Sequence, residues 1–243
     1  QRYEVNAYGK RINQLEHQKG EQGSKIRLTV DTEIQKACGE LLNQKAGSIS
    51  VMDIYTGDII AMYSSPSYNP NLFLFGISQD EWQLIRNNPL KPLINKTISG
   101  LYSPGSTIKP IVALSALENK VIDTKFKVTC TGKLELYGQT FHCWKEKGPG
   151  WVSLKNAMKQ SCDTYFYEVA RLLGVDRLNK TAEKFGLGKK VVGDYFDNEK
   201  KGLFPNTKWK KNNLGKGWVL GETLITGIGQ GYTQTTPLQL CMM

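Results

Sequence analysis

Apolar and polar residues alternate in Ile26-Arg-Leu-Thr-Val30, and the period of two predicts a short strand there. Ser48-Ile-Ser-Val-Met-Asp-Ile54 and Asp58-Ile-Ile-Ala-Met-Tyr63 flank Tyr55-Thr-Gly57, the pattern of a β-hairpin. Between them, Asp31-Thr-Glu-Ile-Gln35 sets a capping residue ahead of a helical run reaching about Gln44. From about Pro66 to Arg177 the pattern is loop-rich and mostly helical, with an amphipathic run Val152–Met158 and a helix over Tyr165–Leu173. Lys133–Phe141 alternates and turns like a second hairpin. Asp194 to Gly217, with Pro205 and several Gly and Asn, predicts an exposed excursion, and Thr236-Pro237 opens a helix toward Met243. Gln1 to Gly23 is polar and reads as a linker or the tail of a preceding module. A hairpin near the amino end with helices after it implies an α/β or α+β arrangement.

Composition narrows the class. With 243 residues, 40% of them hydrophobic, the chain can bury a substantial core as one domain or one plus a small appendage. No run of about 18 apolar residues exists to span a membrane. The chain starts at Gln1 without a basic-then-apolar leader, the expectation for a processed chain or a piece of a longer one. The net charge of +10 suits a polyanionic partner, but Lys and Arg are scattered and no Gly-rich phosphate loop or nucleic-acid signature accompanies them, so nucleic acid is not expected. Lys208-Trp-Lys-Lys211 reads as a solvated loop, and a basic surface near anionic lipid head groups is the milder account of the charge.

Chemistry enters at Ser103-Pro-Gly-Ser-Thr-Ile-Lys-Pro110, which leads into the apolar helix Ile111–Leu117. Residues three apart on a helix are neighbours, so Ser106 and Lys109 share a face. Pro104-Gly105 sets Ser106 in the first turn, where free N–H groups and the helix dipole favour developing negative charge. Desolvation by the apolar residues after it favours the neutral, proton-accepting form of Lys109. About one such spacing is expected by chance in a chain of this composition, so the pair alone does not decide. Lys159-Gln-Ser-Cys-Asp-Thr-Tyr-Phe-Tyr167 adds Ser161 and Asp163 at a helix junction. A hydroxyl and a carboxylate there have a bland reading as an N-cap.

Together, Ser106-Thr-Ile-Lys109 and Ser161-Cys-Asp163 match the first two motifs of penicillin-binding proteins and serine β-lactamases. With Ser65-Pro-Ser-Tyr-Asn-Pro-Asn71, Phe141-His-Cys-Trp144, Gly227-Ile-Gly-Gln-Gly-Tyr232 and Thr236-Pro-Leu-Gln239, the chain resembles the transpeptidase domain of class B penicillin-binding proteins, closest to the elongation-type penicillin-binding protein 2. The resemblance covers roughly Gly23 to the end and assigns residues 24–243 to that domain and 1–23 to a linker or the tail of an upstream pedestal. It implies a sheet packed by helices plus a mostly helical subdomain. The family's Lys-Thr-Gly or Lys-Ser-Gly strand, which supplies the second oxyanion donor, is expected after Met243; Lys180-Thr181-Ala182 lies in a helical stretch and cannot substitute. Gly148-Pro149-Gly150 stands where the family often has Gly-His-Gly.

By resemblance the reaction is D,D-transpeptidation of peptidoglycan stem peptides, with Ser106 as nucleophile, Lys109 as base, Ser161 passing a proton and Asp163 orienting Lys109 and meeting the substrate amide. No metal or organic cofactor is required. The resemblance implies as partners the D-alanyl-D-alanine stem peptide, β-lactams, a rod-shape-determining glycan polymerase and a periplasmic scaffold protein. It places the protein on the periplasmic face of a bacterial inner membrane through an anchor upstream of Gln1. Phe73-Leu-Phe75 and the 194–217 excursion are the segments expected to dock partners. The rivals are a hydrolase of the same fold, either a β-lactamase or a D,D-carboxypeptidase, and a non-catalytic β-lactam sensor or scaffold. No acidic residue can be placed as a deacylation base, which disfavours the β-lactamase.

The five cysteines, Cys38, Cys130, Cys143, Cys162 and Cys241, leave at least one unpaired. Cys130 and Cys143 bracket the second hairpin and stay open to a disulfide, to zinc with His142, or to free thiols.

Overall fold

A computed structural model describes residues 2–16, 23–74 and 76–243. The amino end, read from its polar composition as a linker or the tail of a preceding module, forms an antiparallel hairpin, β1 (Arg2–Val5) and β2 (Arg11–Glu16). Residues 26–30 do not form the expected strand: Ile26 and Leu28 face solvent, and the stretch ends on one ladder-like bond, Asp31 N–H to the Ile60 carbonyl. Alternation without an apolar surface to cover gives no strand.

The next elements follow their signals. Asp31 accepts from the N–H groups of Glu33 and Ile34 and starts α1 (Thr32–Leu42), which ends on Asn43 in the left-handed region. β3 (Gly47–Met52) and β4 (Ile59–Ser65) pair antiparallel around a turn in which Asp53 Oδ1 accepts from Tyr55 and Thr56. α2 (Gln79–Asn87) is closed by a Ser78–Glu81 capping box, and α3 (Lys96–Ser99) packs back on β3 and β4.

The helical core centres on α4 (Lys109–Glu118), entered through a 3₁₀ turn over Gly105–Ile108. Ser106 therefore lies in that 3₁₀ turn and Pro110 at the second position of the α-helix, where its missing N–H costs nothing. β5 (Lys127–Cys130) pairs with β8 (Gly150–Ser153), and the segment between them holds the hairpin β6 (Lys133–Leu136) and β7 (Gln139–His142). Its turn, Tyr137-Gly138, has both residues at positive φ, as a two-residue hairpin requires. Val152 thus belongs to a strand rather than to the helix predicted over it; α5 (Leu154–Lys159) begins after it.

α6 (Asp163–Leu173) buries Tyr165, Phe166, Val169 and Leu173 against Ile108, Ile111, Val112 and Ala116, apolar side chains worth about 1.5–3 kcal/mol each when removed from water. α7 (Val175–Lys184) carries Lys180-Thr181-Ala182 inside a helix, as the sequence predicts. The 194–217 stretch is exposed over most of its length, as expected, but it is anchored to the body of the fold. It buries Glu199 and Phe204, forms α8 (Thr207–Leu214), and sets Lys210 inside the protein against Glu222 of α9 (Leu220–Thr226). Phe204, Pro205 and two satisfied charges suffice to fold back a segment whose polar composition signals a loop. Thr236 and Gln239 form a reciprocal capping box that starts α10 (Pro237–Met242). Among the described residues the strands make four separate two-stranded ladders.

Candidate active site

The turn that carries Ser106 is pinned from behind. Gly105 N–H donates to the Gly229 carbonyl at 2.9 Å, and a Tyr102–Thr235 bridge holds the approach, with bonds of 3.0 and 2.9 Å. Gly229, at φ +71°, is required: a Cβ there would stand 2.2 Å from the Gly105 oxygen. Gly227 is required for packing, since its Cβ would reach 2.4 Å from the Ala170 Cβ where α9 crosses α6. The Gly227–Tyr232 motif is therefore a close-packed wall beside Ser106, and Ile228 and Gln230 line the cavity there.

Ser106 is exposed at the mouth of a cavity of about 500 Å³, while Lys109, one turn on, is 2% exposed. The structure brings all four predicted residues together. Lys109 Nζ donates to Asp163 Oδ1 at 2.7 Å, to Ser161 Oγ at 3.0 Å and to the Ser161 carbonyl at 2.9 Å. Ser161 Oγ lies 2.9 Å from Ser106 Oγ. The hydrogen-bonded path from Ser106 to Lys109 thus runs through Ser161, 55 residues along the chain from Ser106, where sequence spacing alone had paired Ser106 with Lys109 directly. The Phe166 ring sits 5.4 Å from the ammonium and closes its far side.

Two backbone details shape this arrangement. Ser161 has φ +50°, so a non-glycine residue occupies the left-handed region at the α5–α6 junction. Asp163 is the first residue of α6 rather than its N-cap, a place taken by Cys162 without a side-chain bond. The carboxylate is thereby free to turn inward: Oδ1 meets Lys109, and Oδ2 accepts from the Trp144 N–H at 3.0 Å.

Sequence reasoning gave no role to Trp144, Tyr167 or Gln230, which also line the cavity. Trp144 comes from the Phe141-His-Cys-Trp144 motif just past β7, Tyr167 from α6, and Gln230 from the Gly227–Tyr232 motif after α9. Tyr167 donates to the His142 carbonyl at 3.1 Å, and burial, with the Asp163 charge adding to it, pushes its phenol well above the usual range.

Under this floor sit Cys130, Cys143 and Cys162, all buried and all free thiols, with their sulfurs within 4.8 Å of one another. The hairpin does bring Cys130 and Cys143 together, but without a disulfide, and the third member is Cys162 rather than His142. A cysteine one residue from the second-motif serine could not be placed under the hairpin from spacing alone. Burial pushes the Cys162 thiol up to about 12. At Cys143 burial acts in the same direction but is outweighed by the N–H groups of Lys145, Thr164 and Asp163, which hold the thiol below its ordinary value. Among the described residues these three sulfurs are the donors able to hold a thiophilic metal ion.

A serine on a 3₁₀ turn, a buried lysine one turn later and a second serine between them form a Ser-x-x-Lys centre of the kind found in penicillin-binding proteins and serine β-lactamases. Residues 47–243 match the model of the penicillin binding protein transpeptidase domain, and the chain belongs to that family. It is 37% identical over 241 residues to the peptidoglycan D,D-transpeptidase MrdA of Acinetobacter baumannii, a match covering 98% of this chain and 36% of that protein. The chain therefore spans little more than a third of that relative's length. Its fold superposes on Pseudomonas aeruginosa PBP2 in complex with WCK 5153 with a TM-score of 0.85, at 43% identity over 88% of this chain and 49% of the other. Helicobacter pylori PBP2 in complex with MreC gives 0.86, at 36% identity over 98% of this chain and 45% of the other. The expected fold, that of the penicillin-binding transpeptidases, is the one found.

Proposed function

We propose that this domain carries out serine-dependent D,D-transpeptidation of peptidoglycan stem peptides during cell elongation, and that β-lactams acylate it. The observation that carries the reading is the unbroken chain Ser106–Ser161–Lys109–Asp163 at a cavity mouth. Ser106 Oγ attacks the carbonyl carbon of the penultimate D-alanine, and its proton passes through the Ser161 hydroxyl toward Lys109, which must enter the step neutral. The amide C–N bond breaks as the same path returns a proton to the leaving D-alanine nitrogen. An amine from a neighbouring stem then attacks the acyl-serine ester, transfers its proton back along the path and frees Ser106. Asp163 holds Lys109 in place, and the Ser106 N–H is one donor for the oxyanion.

The similarity to MrdA and to PBP2 supports the elongation assignment. The Helicobacter pylori complex supports a periplasmic scaffold protein as partner, and the resemblance adds a glycan polymerase and an inner-membrane anchor upstream of residues 1–23, which link to the domain at 24–243. The test is a fluorescent penicillin applied to the full-length protein. Label is expected on the wild type and absent from Ser106→Ala; equal labelling of both overturns the assignment. Lys109→Ala should reduce labelling nearly as far, since residues acting as a unit are not additive.

A further inference from the structure

Ser161 carries the hydroxyl that joins Ser106 to Lys109, yet its backbone lies in the left-handed region, at φ +50°. A residue with a side chain rests there only where its surroundings fix the peptide planes on either side of it. Both planes are held at both ends. The plane after Ser161 has its carbonyl bound by Lys109 Nζ at 2.9 Å, and its N–H, that of Cys162, donates to the Ala157 carbonyl at 2.9 Å. In the plane before it, the Ser161 N–H donates to the Met158 carbonyl at 3.2 Å, and the Gln160 carbonyl accepts from the Trp144 indole N–H at 2.9 Å.

Three of these bonds come from α4 and α5 themselves. The fourth is brought from the hairpin side by the Trp144 side chain, and the backbone beneath that side chain is anchored. The Cys143 N–H donates to the Gly132 carbonyl at 2.8 Å, and the Trp144 N–H to Asp163 Oδ2 at 3.0 Å. Trp144 leaves 65% of its surface in solvent, so packing does little to aim the ring and the indole bond sets its direction. Freed of that bond, the Gln160–Ser161 plane can turn and let Ser161 relax toward the right-handed region. With the flanking chain fixed by α5 and α6, such a turn carries the Ser161 hydroxyl away from the 2.9 and 3.0 Å contacts that link it to Ser106 and Lys109.

Resting on the acyl-transfer reading above, we propose that Trp144 is a positioning residue for proton transfer: its indole N–H, by holding the Gln160 carbonyl, keeps the Ser161 hydroxyl between Ser106 and Lys109. The role belongs to the N–H donor, not to the face of the ring. It acts on the acylation step, because a hydroxyl displaced by about 1 Å from the proton path costs about 10² in rate, while reversible binding does not use that path.

The test measures benzylpenicillin acylation of the full-length protein, with the acylation rate constant separated from the reversible binding constant. Trp144→Phe keeps an aromatic ring and the backbone N–H but removes the indole donor. Its acylation rate constant is expected to fall about tenfold or more, with the reversible constant changed by less than about threefold. The same substitution made in Ser161→Ala, whose residual acylation is followed over hours, should cost less than about twofold further, because the hydroxyl it positions is gone. The isostere 3-benzothienylalanine at position 144, with sulfur in place of the N–H, should behave as phenylalanine does and serves if the phenylalanine variant proves unfolded. Unchanged acylation in these variants, a loss confined to reversible binding, or an equal loss with and without the Ser161 hydroxyl overturns the proposal. Acylation of Ser106→Ala equal to wild type would instead overturn the acyl-transfer reading, whatever the Trp144 variants do.

Discussion

The Lys109 ammonium meets the Asp163 carboxylate at 2.7 Å, with the two side chains 2% and 13% exposed. A pair this sheltered is costly to break, because removing one partner leaves the other charge without compensation. Asp163→Asn is therefore expected to destabilise the fold by about 3 kcal/mol in denaturant unfolding. The double variant Lys109→Met/Asp163→Asn should recover part of that loss, since it buries no unpaired charge. A double variant as unstable as the sum of the singles would show that the pair is not coupled.

Ser161 separates stability from activity at one position. Its φ of +50° is a conformation that glycine adopts without strain, while its hydroxyl joins Ser106 to Lys109. Ser161→Gly should match or exceed the wild type in stability by up to about 1 kcal/mol, yet lose penicillin acylation by about 10²-fold or more. Ser161→Ala should lose acylation equally without the gain in stability. Equal unfolding midpoints for the glycine and alanine variants would show that the backbone stores no strain there.

That these four residues meet was legible because they lie in two short local patterns. Ser106 and Lys109 are three apart, Ser161 and Asp163 two apart, and each pair sits at a helix start with its own turn signal. What joins the pairs was not legible, since no local rule states that Ser161 stands between Ser106 and Lys109 or that Asp163 spans Lys109 and Trp144. The same limit hid the three-thiol cluster: Cys130 and Cys143 are hairpin neighbours, but Cys162 arrives from another helix junction. Elements with their own caps, such as α1, α10 and the β3–β4 hairpin, were read correctly. The 26–30 stretch was misread, and the buried anchors of the 194–217 segment were missed, because alternation and polarity do not reveal whether an apolar surface or a buried counter-ion waits elsewhere in the fold.

Gly229→Ala should act at a distance of one hydrogen bond from the nucleophile. The added methyl meets the oxygen, nitrogen and carbon of Gly105 at 2.2, 2.7 and 2.9 Å, all backbone atoms that cannot swing aside. The Ser106 turn must shift, and misplacement by about 1 Å costs about 10² in rate. The acylation rate by a β-lactam, compared with near-normal reversible binding, checks it. Unchanged acylation would show that the Gly105–Gly229 contact does not position Ser106.

Alkaline pH should destabilise the core around α6. Burial pushes the Cys162 thiol from 9.0 to about 12 and the Tyr165 phenol from 10.0 to about 12, and it raises Tyr167 further. Between about pH 9 and 12 the unfolded chain gives up these protons while the native protein keeps them, so the native state binds more protons and stability must fall as pH rises. Below pH 9 both states hold the protons and this contribution is complete. Each such group steepens the fall by up to about 1.4 kcal/mol per pH unit within its window. Denaturant midpoints measured under reducing conditions from pH 7 to 11 are expected to hold level and then drop above pH 9. Tyr165→Phe, which keeps the ring and removes the proton, should drop less steeply. A flat profile to pH 11, or a Tyr165→Phe slope equal to wild type, would show that these groups ionise as freely in the folded protein as in the unfolded chain.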